Sequence, residues 1–318
     1  MKIAVLDDYA GVAETFGDWQ GLGDVTVFRD TLPPGPELVA RLAPFQAVCL
    51  MRERTPMPAS VIEALPQLRL IVTSGPRNAS IDLAAARARG ITVCGTASRK
   101  TPPAELAMLM ILALNRRLLP EVASLRAGTW QAGLGRDVSG LRLGIIGLGG
   151  IGTQLAAMAR VFGMEVAAWS QNLTDERCAE HGVERAESLT ALMEMSDSVS
   201  VQLALSDRTR GLIGAEAFSA MRPGAVFVNT SRSAIVDTAA LIAGLRAGRP
   251  WMAGIDVFDV EPLPADDMIN DTALQDEGRL LLTPHLGYTV EATMRLFHSQ
   301  TAEAVRAFQA GSPVRVIA

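Results

Sequence analysis

Short apolar runs alternate with amphipathic stretches from the first residues of the chain. Strand-like runs fall at residues 2–6, 25–28, 47–51, 68–73 and 91–94, with helical spacing at 36–42, 59–65 and 81–89 between them. Strands that alternate with helices predict a parallel sheet covered on both faces. A long helix follows, from Pro103 to about Leu119, apolar on nearly every face and so expected to be buried on more than one side. After a looser, glycine-bearing stretch at 127–139, a second series begins at Leu141. Its strands are expected at 142–146, 165–169, 198–203, 225–229, 252–257 and 280–282. Residues 292–310 read as a final helix and 314–317 as a tail strand.

Composition narrows the class. A chain of 318 residues suits two α/β domains rather than one. With 49% hydrophobic and 20% charged residues it can bury cores, which excludes general disorder. A net charge of −5 argues against nucleic acid as a partner, because a basic surface supplies most of that binding. The first residues reach Asp7 without a long apolar segment, and the longest apolar run, 106–114, is far too short to span a membrane. Cys49, Cys94 and Cys178 are widely spaced and read as buried thiols. No Cys/His cluster has metal-ligand spacing, and a reducing cytoplasm is expected.

The first chemical signal follows the strand at 142–146. It runs directly into Gly147-Leu148-Gly149-Gly150-Ile151-Gly152, and a helical pattern starts at once. This is the setting a dinucleotide-binding GxGxxG needs. Gly147 permits the tight turn, Gly149 lets backbone approach a pyrophosphate, and Gly152 lets helix pack on strand. The helix N-terminus offers N–H groups and a positive dipole end to the phosphates. The next strand should end in an acid for the adenosine ribose. It ends instead Ala168-Trp169-Ser170-Gln171-Asn172, with neither acid nor Arg. Ser170 or Asn172 could hydrogen-bond either ribose form, so NAD and NADP both stay open.

The second signal is positional. Arg232, Glu261 and His285 each lie just past the carboxyl end of an expected parallel strand, where open α/β sheets place ligands. A cation, a carboxylate and an imidazole together suit a redox site. His181 and His298 read as ordinary helix residues.

With these motifs in place the chain resembles the D-2-hydroxyacid dehydrogenase family. The carriers are GLGGIG at 147–152, VNTSRSAIVD at 228–237, AGIDVFDVEPLP at 253–264 and TPHLGY at 283–288, in the family's order across nearly the whole chain. The resemblance implies two parallel-sheet α/β domains, a Rossmann dinucleotide domain inserted into a flavodoxin-like substrate domain. Residues 1–101 with 288–318 would form the substrate domain and 102–287 the NAD(P)-binding domain. It implies catalytic roles for Arg232, Glu261 and His285, and cofactor contacts from Thr230 and Asp256. The expected reaction moves a hydride between nicotinamide and a small 2-keto or 2-hydroxy acid. His285 would exchange the proton, Glu261 would favour its imidazolium form, and Arg232 would grip the substrate carboxylate. A homodimer is implied, with the 103–119 helix as a contributor.

Several positions depart from the family pattern. Ser233 stands where Gly is usual, which fits if its φ is negative. Gln202 and Ala204 replace a His and a Pro that border the cofactor. In the expected carboxylate loop, Thr73-Ser74-Gly75-Pro76-Arg77-Asn78, Pro76 removes one N–H. Gly75, Arg77 and Arg54 are the candidate substrate contacts, and Ser98-Arg99-Lys100-Thr101 could face substrate or cofactor phosphates. Two other readings compete: a nicotinamide-sensing protein like the corepressors that resemble this family, and a phosphoglycerate- or formate-type dehydrogenase.

Overall fold

A computed structural model describes every residue, Met1–Ala318, and divides the chain into two compact units. One comprises Met1–Arg99 with Thr289–Ala318, the other Lys100–Tyr288. Both expected parallel-sheet α/β units are present.

The first unit alternates β1 (Lys2–Val5), α1 (Ala13–Phe16), β2 (Asp24–Val27), α2 (Pro36–Leu42), β3 (Ala47–Leu50), α3 (Ala59–Glu63), β4 (Leu70–Thr73), α4 (Leu83–Ala88) and β5 (Thr92–Gly95). Its sheet has the order β2-β1-β3-β4-β5, every pair parallel. That is the flavodoxin-like order, and its central strands are buried along their whole length because helices cover both faces.

The second unit opens with α5 (Thr101–Asn115) and α6 (Leu118–Arg126). It continues through β6 (Arg142–Ile146), α7 (Gly152–Val161), β7 (Glu165–Trp169), α8 (Asp175–Glu180), β8 (Glu184–Arg185), α9 (Leu189–Met195), β9 (Ser198–Val201), α10 (Ala215–Ala220) and β10 (Val226–Asn229). The rest is α11 (Thr238–Ala247), β11 (Met252–Ile255), α12 (Thr272–Asp276) and β12 (Leu280–Leu282). The sheet order is β12-β11-β10-β9-β6-β7-β8. Strand order reverses between β6 and β9, which makes a crevice at their carboxyl ends. The chain returns to the first unit as α13 (Glu291–Gln309). Ala302, Ala304 and Val305 of that helix join Ile3, Val5, Leu70 and Val72 in one core.

Four elements differ from the sequence reading. The helix expected to run from Pro103 to Leu119 breaks at Arg117, whose φ is +51°. Pro120 explains the break: in a continuous helix its ring would clash with the Arg116 carbonyl, whereas in the first turn of α6 it is tolerated. The tail strand reduces to a single antiparallel bridge, Cys94 with Val316, because Arg315 at φ +50° interrupts the extended run. Backbone bonds still tie the tail to β5, from Val93 N–H to Ala318 at 2.7 Å and from Ile317 N–H to Val93 at 2.7 Å. The short α1 and β8 had no apolar run to reveal them.

Asp7, just past β1, is buried and left-handed, with φ +59°. Its carboxylate accepts from the Thr31 hydroxyl and from Thr55 Oγ1 at 2.9 Å. Burial pushes its titration upward, against the pull of these hydroxyls and of Arg54. The protonated form is therefore favoured more in the fold than in the unfolded chain. Asp7 contributes stability below its unfolded titration range and loses it as pH rises through the folded value. Asn keeps the size, tolerates positive φ and carries no charge. Asp7→Asn is expected to melt higher than the parent at neutral pH, with the gap closing as pH falls into the carboxylate range. A variant less stable at every pH would show that the fold needs the charge.

Candidate active site

The carboxyl ends of β10, β11 and β12 lie side by side, with Asn229 opposite Ile255 and Ile255 opposite Leu282. Neighbouring strands stand about 4.8 Å apart, so groups just beyond three successive ends share one patch. Arg232, Glu261 and His285 all emerge there.

His285 is the most constrained of the three. Its Nδ1 lies 2.7 Å from Glu261 Oε2, and its ring meets Tyr288 edge to face at 5.2 Å. Glu261 is itself fixed, its other oxygen accepting from the Phe258 N–H at 3.1 Å. The side chains of His285 and Glu261 are only 15% and 14% exposed, so the pair is poorly screened by water. His285 has φ +52°, a conformation that costs on the order of 1–3 kcal/mol unless its surroundings impose it. Asp256 imposes it. Fully buried, it accepts from Thr283 Oγ1 at 2.6 Å, Leu286 N–H at 2.6 Å and Gly287 N–H at 2.9 Å. Burial raises its titration despite these donors and the nearby His285. The resemblance assigned Asp256 to the cofactor; in the fold both its oxygens hold the His285 loop.

Arg232 stands in extended backbone at φ −141° and donates from Nη1 to the Ser231 carbonyl at 2.8 Å. Asn229 anchors the turn, donating to the Arg232 carbonyl at 3.1 Å and accepting from Ser231 N–H at 3.0 Å. Ser233 begins a 3-10 turn without positive φ, so the residue that replaces glycine fits. Gln202 bridges Ser200 Oγ at 3.0 Å and Thr230 Oγ1 at 3.1 Å. It ties the end of β9 to that of β10, and it buries the Thr230 hydroxyl in that tie.

The glycine loop leaves β6 at the switch point. Gly147 turns at φ +106°. A Cβ on Gly152 would stand 2.1 Å from the Gly147 carbonyl oxygen, so only glycine allows this approach of helix to strand. A Cβ on Gly149 would meet nothing within 4 Å, which leaves open space above the backbone. No side chain caps α7 at Ile151. Leu148 is buried beneath the loop, while Lys100 lies over Gly150, its Nζ 2.7 Å from where a Cβ would stand. A helix N-terminus with no side-chain cap, an open backbone surface and a nearby ammonium fit a dinucleotide pyrophosphate. Of the basic segment at the start of this unit, only Lys100 is brought to the loop.

At the ribose end, Ser170 is half-buried and Asn172 exposed. Sequence reading missed Arg208, which arrives from the loop after β9. Its Nη2 donates to Asn172 Oδ1 at 3.2 Å and its Nε to Gln171 Oε1 at 3.0 Å. Nothing local in the sequence ties position 208 to position 172.

The expected substrate contacts of the first unit are placed unevenly. The Gly75 N–H already donates to Thr96 Oγ1 at 2.7 Å, so the expected amide cradle is not offered. Arg52 covers that glycine and donates to the Ser74 carbonyl at 3.2 Å. Arg77 is exposed, and Arg54 lies over the Tyr9 ring at 5.4 Å.

Comparison with known proteins agrees with this geometry. The sequence model of one family, described as D-isomer specific 2-hydroxyacid dehydrogenase, NAD binding domain, matches residues 108–287. D-3-phosphoglycerate dehydrogenase of Mycobacterium leprae is 34% identical over 293 residues, covering 91% of this chain and 54% of that protein. The chain thus spans about half the length of the first curated relatives it matches. The (S)-sulfolactate dehydrogenase of Chromohalobacter salexigens is 35% identical, covering 91% of this chain and 92% of the relative. Among solved structures, phosphoglycerate oxidoreductase from Vibrio cholerae O395 superposes with a TM-score of 0.91 at 36% identity, covering 98% of this chain and 100% of that one.

The Gly152 contact generates a direct test. Gly152→Ala forces α7 away from β6 and is expected to weaken nicotinamide-dinucleotide binding by at least about tenfold, as one misplaced phosphate contact would. Titration of intrinsic fluorescence with NADH and NADPH measures it; undiminished affinity would remove the loop from the binding site.

Proposed function

This chain belongs to the D-isomer specific 2-hydroxyacid dehydrogenases, and on that premise we propose that it reduces a small 2-keto acid, or oxidises the matching D-2-hydroxy acid. The observation that carries the reading is the 2.7 Å pair of Glu261 with His285 Nδ1 beside Arg232 at adjoining strand ends.

The nicotinamide, when bound, supplies or accepts the hydride at the substrate's second carbon. The glycine loop and α7 hold the dinucleotide at its phosphates. Arg232 offers a planar fork to the substrate carboxylate and can polarise the adjacent carbonyl. His285 would give the substrate's carbonyl oxygen its proton as the carbonyl π electrons move onto that oxygen. Glu261 engages Nδ1 at 2.7 Å, so proton exchange falls to Nε2. In oxidation the same nitrogen takes the proton back. Asp256 holds the loop that aims the ring. Arg54, just past the end of β3, is the first unit's candidate for holding an anion, because the Gly75 amide is already engaged.

The working form is a homodimer built on α6. That nine-residue helix buries none of its residues, although Leu118, Leu119, Val122 and Leu125 project from it. Leu109, Trp130 and Leu134 are also exposed, while Arg117 Nε, Glu121 Oε1 and Ser124 Oγ are buried without hydrogen-bond partners. So short a helix is not stable alone and gains its stability from packing. No helix is long and apolar enough to cross a membrane. The three free, buried cysteines suit a cytoplasmic setting.

Purified protein should consume NADH or NADPH with glyoxylate, hydroxypyruvate, pyruvate or bulkier 2-keto acids. His285→Ala is expected to lower kcat by about 10²–10⁴-fold while dinucleotide affinity stays; unchanged turnover would end the acid/base assignment. Arg232→Ala should raise KM and lower kcat together, and retained substrate affinity would contradict its carboxylate role. Sedimentation should give two copies per particle, and a Leu118→Asp, Leu125→Asp double variant one; an unaltered particle would place the interface elsewhere. No turnover with any acid, despite tight dinucleotide binding, would move the reading to a nicotinamide-sensing protein.

A further inference from the structure

The end of β7 is where this fold presents the adenosine ribose of a bound dinucleotide, and no carboxylate stands there at Ser170, Gln171 or Asn172. The next acids along the chain are turned to other partners. Asp175 pairs with Arg185 at 3.3 Å, and Glu176 is bound to its own N–H and to Thr174 at the start of α8. A 2′-phosphate would meet no fixed negative charge at this position.

A positive charge is fixed there instead. Besides its bonds to Gln171 and Asn172, Arg208 accepts at its carbonyl from Gln171 Nε2 at 3.2 Å. The loop that carries it is braced by Thr209, whose buried hydroxyl accepts from Ser206 N–H at 2.8 Å and donates to the Ala204 carbonyl at 2.9 Å. The guanidinium is thus held by two neutral amides, and its ion-pairing capacity is not met by any carboxylate. A planar fork with unneutralised charge, positioned before a ligand arrives, suits a phosphate and gives little to a ribose hydroxyl.

We propose that Arg208, with Asn172 and Ser170, forms a subsite for the 2′-phosphate of the adenosine ribose, so that the protein uses NADP(H) in preference to NAD(H). The proposal rests on the dinucleotide-binding reading above. Arg208 comes from the loop after β9 rather than from the β7 end, so two segments distant in sequence build the subsite.

Calorimetric titration with 2′-phospho-ADP-ribose and with ADP-ribose tests it without any turnover. The phosphorylated ligand should bind about ten- to a hundredfold more tightly, the range of one or two charge-assisted hydrogen bonds. The preference should narrow as salt is raised. Arg208→Gln should abolish most of the difference while ADP-ribose still binds. Asn172→Asp, which sets a carboxylate against the Arg208 guanidinium and neutralises its charge, should turn the preference toward ADP-ribose. Equal affinities in the parent, or a preference unchanged by Arg208→Gln, overturn the subsite and leave dinucleotide binding standing. Failure of both ligands to bind overturns the dinucleotide reading together with it.

Discussion

A carboxylate with no access to water organises the carboxyl end of β12 and the segment that follows it. Asp256 carries three hydrogen bonds from the segment that follows β12, and those bonds hold His285 in a left-handed conformation that its own backbone disfavours. Without them, the buried Gly287 N–H would lack a partner, at a cost of about 1–3 kcal/mol, and the half-buried Leu286 N–H and Thr283 hydroxyl would lose theirs. The imidazole would then lose its approach to Glu261. The orientation of the His285 ring therefore depends on Asp256 as well as on Glu261.

The sheets explain why such an arrangement is available. In a parallel sheet every strand ends on the same side, so loops after β10, β11 and β12 converge though they are far apart in sequence. Each loop then brings one kind of group: Arg232 a planar cation, Glu261 a carboxylate bonded to the ring, His285 the imidazole. The glycine loop after β6 uses the same edge nearer the switch point, and Arg208 reaches toward the β7 end from the loop after β9.

Much of this was legible in the residues. Alternating apolar runs gave both sheets because buried parallel strands have no polar face to confuse the pattern. The glycine spacing was readable because each glycine answers a local steric demand. What escaped reading depended on pairings distant in sequence. The break at Arg117 was encoded by Pro120, three residues further on, within an otherwise unbroken apolar pattern. The engagement of the Gly75 amide required Thr96, and the cation at the ribose end required Arg208 to fold back on Asn172. Asp256 was noticed for a different task, because nothing local shows which way a buried carboxylate points.

The first unit is made from both ends of the chain, and this orders its biosynthesis. When β5 leaves the ribosome, one face of its sheet still lacks α13, whose Ala302, Ala304 and Val305 will cover Ile3, Val5, Leu70 and Val72. The outer edge at Val93 also waits for Ile317 and Ala318. The whole second unit is synthesised in the interval, and it can close its own core from contiguous residues. The first unit is thus completed only after the second has been made, with an apolar sheet face and an open strand edge exposed until α13 and residues 317–318 arrive.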